Sequence, residues 1–340
     1  MSKKLVISST LLVAIFAACG DDGNNSTPDA APMVPDAAAK KSIVGVASDV
    51  PTLSTLVAVV QFASDNGDLV NLLSNPGTLT VFAPSNAAFD ALAVELTGNG
   101  GAKATDLLTP ANKPLLRQVL QYHVLSTTVK AAGIPFGKAI TTAEGSIFKI
   151  DSGTPPKITD GRNRTANITS TDVEASNGVV HLIDKVILPA NKDIVETAQA
   201  AAAGNPGEFK ILVEAVVAAD LVTALKGTGP LTVFAPTDVA FANALTELGI
   251  TKAQLLAPAN KAYLQRVLTY HVVAGRVLKA DVPVDTDIVT LETGKFRVTP
   301  ALKIKDALNR EAGIAGTDIL TKNGVIHVID KVILPALPPQ

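Results

Sequence analysis

The stretch NGVVHLIDKVILP, residues 177–189, decides the fold of this chain. It opens on Asn-Gly, the strongest short signal for a β-hairpin, because both residues accept a positive φ. It continues as a run that is apolar on both faces until a proline ends it, so a strand over residues 179–188 is predicted in the middle of the fold. The stretch NGVIHVIDKVILP, residues 323–335, repeats this pattern 146 residues further on.

Two further motifs upstream of this stretch are also written twice. YHV occurs at 122–124 and at 270–272, and TVFAP occurs at 80–84 and at 232–236. Spacings of 148 and 152 residues are the size of a whole domain, whereas solenoid repeats have periods of roughly 20–50 residues. The chain is therefore predicted to be a tandem of two homologous domains, residues 43–190 and 191–337.

Each half combines helical and strand patterns. Apolar residues at helical spacing cover 43–46, 53–62, 194–203 and 209–217. The TVF motif indicates a buried strand, and the helix after it is predicted to be capped by Ser85 in one half and by Thr237 or Asp238 in the other. Asn112 and Asn260 are predicted to cap the amphipathic helices that run into the YHV motifs.

The N-terminal segment indicates targeting. Lys3 and Lys4 precede an apolar stretch, residues 5–18, which ends in small residues before Cys19, the single cysteine of the chain. This layout predicts a signal peptide over residues 1–18. It resembles a bacterial lipobox, so Cys19 is the predicted lipidation site; an ordinary signal peptide with an incidental cysteine is the alternative.

A disordered tether is predicted over residues 19–42. The segment is rich in Asp, Asn, Ser, Pro and Ala and poor in bulky apolar residues, so it cannot bury enough surface to order itself. Several acyl chains on Cys19 would hold such a tether stably at a membrane. Gly20 after the cysteine favours transport past the inner membrane in a Gram-negative host.

Composition excludes several classes of function. The chain has 29 Lys and Arg against 31 Asp and Glu, so neither half offers a basic surface to nucleic acid. Apolar residues make up 47% of the sequence, which is enough for a sizeable core in each half. There is no tryptophan and there are three tyrosines, so a sugar site that relies on aromatic platforms is hard to build.

The three motifs, in the same order twice, resemble the fasciclin domain over nearly all of residues 43–337. The resemblance implies an α+β fold of two tandem fasciclin-like domains, each a wedge of β-strands with helices packed on one side and at the edge. It also implies a secreted or surface-anchored protein, since many members of the family are adhesive. With Cys19, the layout is similar to that of bacterial fasciclin-domain lipoproteins.

The repeated motifs also contain the candidate functional residues. His181 shares a strand face with Val179 and Ile183, whereas Asp184 points the other way, and no HExxH motif, cysteine pair or carboxylate cluster accompanies them. No metal site and no catalytic set are therefore predicted. The four histidines, His123, His181, His271 and His327, are predicted to be core residues bonded to the backbone or to each other.

The resemblance also implies that some residues of these motifs contact a partner protein. Motif residues of animal fasciclin domains have been proposed as integrin contacts. The candidate partner contacts at the matching positions are Tyr122, His123, Asp184, Tyr270, His271 and Asp330. From their chemistry alone, Asp184 and Asp330 are predicted to accept backbone amides of a neighbouring loop.

These observations predict a membrane-tethered extracytoplasmic adhesion or binding protein, lipid-anchored to the cell envelope at the outer membrane or the cell surface. The expected partners are an envelope or extracellular protein or polysaccharide and the membrane, with no nucleic acid and no cofactor. The alternatives are an envelope scaffold without a dedicated ligand and a hydrolase whose catalytic motif is not recognisable in the sequence. A flat exposed apolar patch would favour binding, and a concave pocket with convergent polar groups would favour an enzyme.

Overall fold

The computed structural model describes residues 40–336, which belong to one compact unit. The predicted signal peptide, the lipidation site Cys19 and the predicted tether up to residue 39 lie outside the described residues. One arrangement of helices and strands occurs twice within them. The fold is therefore α+β in both halves, as predicted.

The first half builds its helices from Ile43–Asp49 (α1), Ser54–Ala63 (α2), Asp68–Ser74 (α3), Asn86–Thr97 (α4) and Lys113–Tyr122 (α5). Its strands are Leu79–Pro84 (β1), Val124–Leu125 (β2), Ala139–Thr141 (β3), Ile147–Asp151 (β4), Lys157–Thr159 (β5), Thr165–Ala175 (β6) and Gly178–Ile183 (β7). The strands form one sheet in the order β2-β1-β7-β6-β5-β4-β3.

The second half repeats the plan with the helices Ile194–Ala202 (α6), Lys210–Ala218 (α7), Val222–Leu225 (α8), Asp238–Leu248 (α9), Lys252–Leu255 (α10) and Lys261–Tyr270 (α11). Its strands are Leu231–Pro236 (β8), Val272–Ala274 (β9), Asp287–Val289 (β10), Lys295–Val298 (β11), Lys303–Lys305 (β12), Glu311–Thr321 (β13) and Gly324–Ile329 (β14). The sheet order is β10-β11-β12-β13-β14-β8-β9.

Strand β7 lies inside the sheet and is buried on both faces, which confirms its predicted central position. It pairs in parallel with β1 and antiparallel with β6. Val180 packs into the core on the helix side, and Ile183 packs into the core enclosed by the sheet. The strand ends at Ile183 rather than at Leu188, because side chains bond the backbone of the buried segment that follows.

The core enclosed by the sheet is built around aromatic rings. Phe82 meets Phe148 edge to face at a centroid distance of 5.2 Å, and Tyr122 meets Phe148 at 5.9 Å. Phe234 and Phe296 repeat the first contact in the second half at 5.2 Å. Such edge-to-face pairs add stabilisation beyond the area that they bury, so this aromatic group holds the sheet closed in each half.

Two of the predicted helix caps form and two do not. The Ser85 and Thr237 hydroxyls accept hydrogen bonds from the third backbone N–H of α4 and α9, respectively, as predicted. Asp238 instead caps α7, accepting the N–H groups of residues 210 and 211. The caps predicted at Asn112 and Asn260 are wrong, because both side-chain amides donate backwards to preceding carbonyl oxygens.

The predicted hairpins form between β6 and β7 and between β13 and β14, but Asn-Gly does not make the turn itself. Ser176 and Asn177 form the turn, and neither has a positive φ. Asn177 is buried, and its amide accepts the N–H of Ile43 and donates to two carbonyl oxygens near the end of α3. Gly178 is needed because a Cβ there would lie 2.0 Å from the carbonyl oxygen of Leu79.

The two halves contact each other through polar groups around a small apolar cluster. The Lys149 ammonium pairs with the Asp318 carboxylate at 3.1 Å, and Asp318 is 4% exposed. The Asn163 amide donates to the carbonyl oxygen of Leu320 at 3.0 Å and accepts its N–H at 2.7 Å. The apolar cluster consists of Ile147, Leu278, Leu320 and Val325. This arrangement fixes the two halves against each other.

Among residues 40–336, no single helix is long and apolar enough to cross a membrane. One pair of helical segments, Ile43–Asp49 and Pro51–Ala63, reaches the required length and hydropathy together but is bent by 112°.

Candidate functional site

The tyrosines of the YHV motifs are core residues. Tyr122 is 0% exposed; its hydroxyl donates to the carbonyl oxygen of Ile147 at 2.6 Å and accepts the N–H of Gly161 at 2.9 Å. Tyr270 makes the equivalent pair of bonds in the second half. Burial raises the pKa of Tyr122 and raises the pKa of Tyr270 to about 12, so both phenols stay protonated.

The histidines of the same motifs close the ends of α5 and α11. The Nδ1–H of His123 donates to the carbonyl oxygen of Val119 at 2.7 Å, and its Nε2 accepts the N–H of Ile187 at 3.1 Å. His271 makes the same two bonds with Val267 and Ile333. This pattern requires the neutral Nδ1–H tautomer. Burial lowers the pKa of both imidazoles to about 4, which keeps them neutral at pH 7.

The strand histidines are also bonded to the backbone. His181 is 0% exposed; its Nε2 donates to the carbonyl oxygen of Val129 at 2.8 Å, and its Nδ1 accepts the N–H of Asp172 at 3.3 Å. His327 repeats both bonds in the second half. The ring of His181 packs against Phe82 at a centroid distance of 5.3 Å. The predicted structural role of the four histidines fits these contacts.

The motif aspartates, in contrast, lie at the surface. Asp184 accepts the N–H of Asn167 at 2.7 Å and its side-chain amide at 2.6 Å. Asp330 accepts the N–H of Gly313 at 2.6 Å. The predicted amide bonds therefore form, but the donors lie on strands β6 and β13 rather than on a loop. Both aspartates remain exposed.

Burial corrects the set of candidate partner contacts. Tyr122, His123, Tyr270 and His271 are each at most 2% exposed, and their polar atoms are all bonded internally. A partner of the folded protein cannot reach such side chains. Asp184 and Asp330 are the members of the set that remain accessible.

A pair of buried ionic groups was missed by the sequence reasoning. Asp160 is 1% exposed and accepts the N–H groups of Arg162, Arg164 and Leu188, and the Arg164 guanidinium pairs with it at 2.7 Å. Asp306 and Arg310 repeat this pair in the second half. The spacing Asp-x-x-Asn-Arg, written at 160–164 and at 306–310, is the signal that could have revealed it.

The motif histidines and the Asp–Arg pairs join backbone segments of the fold. Among residues 40–336, no group of three or more His, Cys, Asp or Glu side chains is placed to hold a metal ion. The His181 and His123 rings use both nitrogens in hydrogen bonds, so neither is free to take a proton from a substrate.

The second half exposes an apolar segment along one edge of its sheet, residues 284–291. Val284, Val289 and Leu291 are 44%, 53% and 46% exposed. Strand β10, which ends at Val289, is an edge strand of the sheet, and just beyond its end the N–H of Leu291 bonds the carbonyl oxygen of Val272 on β9, the other edge strand, at 2.8 Å. In the first half the corresponding positions are Phe136, which is 42% exposed, Thr141 and Ala143, so among the described residues the exposed apolar pair at 289 and 291 occurs in the second half alone.

The family follows from these features together with comparison with known proteins. The family model for the fasciclin domain matches residues 51–189 and 207–335. The chain belongs to the fasciclin family and consists of two tandem fasciclin domains.

Relatives of the chain occur in bacteria and animals. Over 149 residues it is 42% identical to protein sll1483 of Synechocystis sp., a match that covers 44% of this chain and 73% of that protein. Over 264 residues it is 30% identical to the transforming growth factor-beta-induced protein ig-h3 of Oryctolagus cuniculus, covering 77% of this chain and 35% of the rabbit protein.

A solved fasciclin-domain pair from the insect cell adhesion molecule Fasciclin I matches with a TM-score of 0.39 and 18% identity. The match covers 84% of this chain and 97% of the insect one.

Proposed function

We propose that this chain is an extracytoplasmic binding protein in which two fasciclin domains, held as one unit, attach to a protein or polysaccharide of the cell envelope or its surroundings. Fasciclin domains typically occur in adhesion or extracellular proteins, and membership of the family supports a binding role. The structural use of all four histidines supports a function without catalysis.

The apolar edge segment is the observation that carries this proposal. Exposed apolar side chains on an edge strand offer hydrophobic burial to a partner, and the backbone of β10 itself can bond an added strand. Val289 and Leu291 lie two residues apart, so they face the same side of the chain. A protein partner that adds a strand at β10 would cover both side chains.

The test is binding of the purified chain to envelope fractions of its own cells. The double substitution Val289→Lys and Leu291→Lys places two charges on the apolar edge segment, and we expect binding to fall at least about tenfold, because two buried apolar side chains contribute more than 1.4 kcal/mol. Val239→Lys is the matched control, since Val239 is 66% exposed on helix α9, away from β10. Equal loss with Val239→Lys, or no loss with the double variant, would refute the proposal.

The accessible aspartates form a second set to test. Asp184→Asn and Asp330→Asn keep a carbonyl oxygen that can accept the strand N–H but remove the charge. If these carboxylates contact a partner, the variants bind envelope fractions less tightly with an unchanged melting temperature. Unchanged binding would show that the two carboxylates do not contact the partner.

We also propose that the protein is tethered to the envelope by lipid on Cys19, as its sequence position predicts. Cys19→Ser should abolish incorporation of a clickable fatty acid and release the protein from the membrane fraction. Continued labelling of Cys19→Ser would refute lipidation at this residue. The binding assay uses envelope fractions and soluble protein, so its outcome does not depend on whether Cys19 is lipidated.

A further inference from the structure

A cavity of about 320 Å³ lies where the two domains meet. Its wall includes Arg162 from the first domain, Asn191 and Lys192 from the connection between the domains, Thr197 from α6 and Leu320 from β13. Because both domains and their connection contribute to the wall, neither domain has this cavity alone.

Cationic side chains line the cavity without a carboxylate to balance them. Arg162 and Lys192 are part of the wall, and none of the described residues that line it is Asp or Glu. Arg164, two residues away, uses Asp160 and Glu95 as its partners, at 2.7 Å and 2.5 Å. The nearby carboxylates are therefore engaged by Arg164.

Arg162 is placed unfavourably unless a further group joins it. Its Nε is buried and has no hydrogen-bond partner among residues 40–336. Burial lowers the pKa of this guanidinium, which means that the charged form is poorly solvated where it lies. A buried donor without a partner costs about 1–3 kcal/mol.

The wall is also held rigidly before any ligand arrives. Asn163, next to Arg162, has both ends of its amide bonded to the backbone of Leu320. The backbone carbonyl of Lys192 accepts the N–H of Lys322 at 2.9 Å. A site that is fixed in advance loses little conformational entropy on binding.

We propose that this cavity binds an oxyanion, a carboxylate, sulfate or phosphate group, either free or carried by an acidic sugar. The Arg162 guanidinium supplies a charge-assisted hydrogen bond and Lys192 a second positive charge, while Asn191 and Thr197 offer neutral polar groups beside them. The volume lies at the small end of ligand pockets, roughly 300–1,000 Å³, which suits one sugar acid or a free ion.

Titration calorimetry on the whole chain at low ionic strength tests the proposal with four probes: sodium sulfate, sodium phosphate, galacturonic acid and galactose. We expect at least one of the three anions to bind and galactose not to bind. Tighter binding of galacturonic acid assigns the site to acidic sugars, and tighter binding of sulfate or phosphate assigns it to a free ion. No heat and no change in melting temperature with any anion would overturn the proposal.

Arg162→Gln and Arg276→Gln form a matched pair of variants. The Arg276 Nε is likewise buried without a partner among the described residues, but Arg276 does not line the cavity. Arg162→Gln should weaken anion binding roughly tenfold, the loss expected for one charge-assisted hydrogen bond, and Arg276→Gln should not. Because the Arg162 Nε has no partner to lose within residues 40–336, the variant should fold normally. Equal weakening by both variants, or by neither, would overturn the proposal.

Discussion

The imidazoles of this protein act as neutral connectors between backbone segments. His123 joins the last turn of α5 to the segment after β7, and His181 joins β7 to the loop before β3 and to the bulge in β6. Each ring donates with one nitrogen and accepts with the other, which only the neutral form can do. Protonation would therefore break one bond per ring.

Stability is expected to fall in mildly acidic solution for this reason. The pKa of His123 and His271 is about 4 in the folded protein against 6.5 as the ordinary value. Below pH 6.5 the unfolded chain takes up protons that the folded one does not, so stability that is complete above pH 6.5 is lost as the pH falls toward 4. Each ring contributes about 3 kcal/mol to this loss.

The measurement is thermal unfolding between about pH 7 and about pH 5, where most carboxylates stay ionised. The melting temperature should fall with pH, and His123→Gln should flatten the dependence in the first domain while lowering stability at neutral pH. A melting temperature that does not change between these values would contradict the neutral buried rings.

The strand histidines give a second prediction at this scale. His181→Ala removes two hydrogen bonds and the packing against Phe82, and we expect a cost of roughly 3 kcal/mol to the first domain. His327→Ala should do the same to the second domain. Zinc or a chelator should leave the melting temperature of the wild type unchanged; a shift with chelator would indicate that the histidines bind a metal ion.

At the residue scale, the sequence predicts which histidines are internal but not what they bond. The apolar neighbours of His181 indicate burial, because a strand residue between Val and Leu is enclosed with them. The partner Val129 lies 52 residues away on an irregular loop, and nothing in the local pattern indicates it. The same holds for Asp160, whose partner Leu188 is 28 residues away.

At the scale of elements, the parallel pair of β1 and β7 joins the first and last strands of the first domain, and β8 and β14 do the same in the second. Thr80 lies opposite Val179, and Val81 lies opposite Val180. Asn-Gly predicts the hairpin from β6 into β7, since this signal is local. The parallel pairing with β1 is not local, and close approach of β1 is the reason that the glycine is required at residue 178.

Gly178→Ala should therefore separate β7 from β1. The added Cβ would meet the Leu79 carbonyl oxygen at 2.0 Å, and the φ of 156° adds strain for any other residue. We expect a loss of roughly 3 kcal/mol or more in the free energy of unfolding by denaturant. Gly133→Ala, where nothing lies within 4 Å of the new Cβ, is the control and should change it by less than about 0.5 kcal/mol. Similar losses in both variants would contradict this account.

At the scale of the whole molecule, the domain contact uses a charge pair whose two charges also occur at the matching positions of the opposite domains. Lys149 and Asp318 are 169 residues apart and form a pair with little exposure. Their counterparts in the opposite domains, Arg297 and Asp172, form no ion pair with each other among the described residues, and Arg297 pairs with Asp287 at the surface instead. The repeat itself predicts two similar domains, and it cannot indicate which face of one packs on the other.

Lys149→Ala should weaken this contact. It leaves the Asp318 carboxylate enclosed without its cation, which costs about 3 kcal/mol. We expect calorimetric unfolding to change from one transition to two, one for each domain. Arg297→Ala, at the matching exposed position, should change stability by at most about 1 kcal/mol. Replacing both partners, with Lys149→Met and Asp318→Asn, should recover much of the loss, because Asn tolerates the positive φ of residue 318 and keeps an acceptor for the N–H of Lys279. A single unchanged transition in Lys149→Ala would contradict the coupling.

The domain contact joins two unlike faces, and a contact of that kind can in principle repeat from molecule to molecule into an open filament. Each domain also has a surface that matches the face which the other domain uses in the contact. These two matching surfaces carry charged side chains where the contact has apolar ones. Lys295 stands where Ile147 packs, and the opposite face has Lys130 and Glu174 where Leu278 and Leu320 pack.

The free energy needed to bury these charges between two molecules would be several times the stabilisation that the apolar cluster gives within one chain. We therefore expect the protein to remain a monomer. Sedimentation should accordingly give the mass of one chain, 35.0 kDa before processing. The same three positions made apolar, with Lys295→Ile, Lys130→Leu and Glu174→Leu, should turn the protein into a polymer-forming unit.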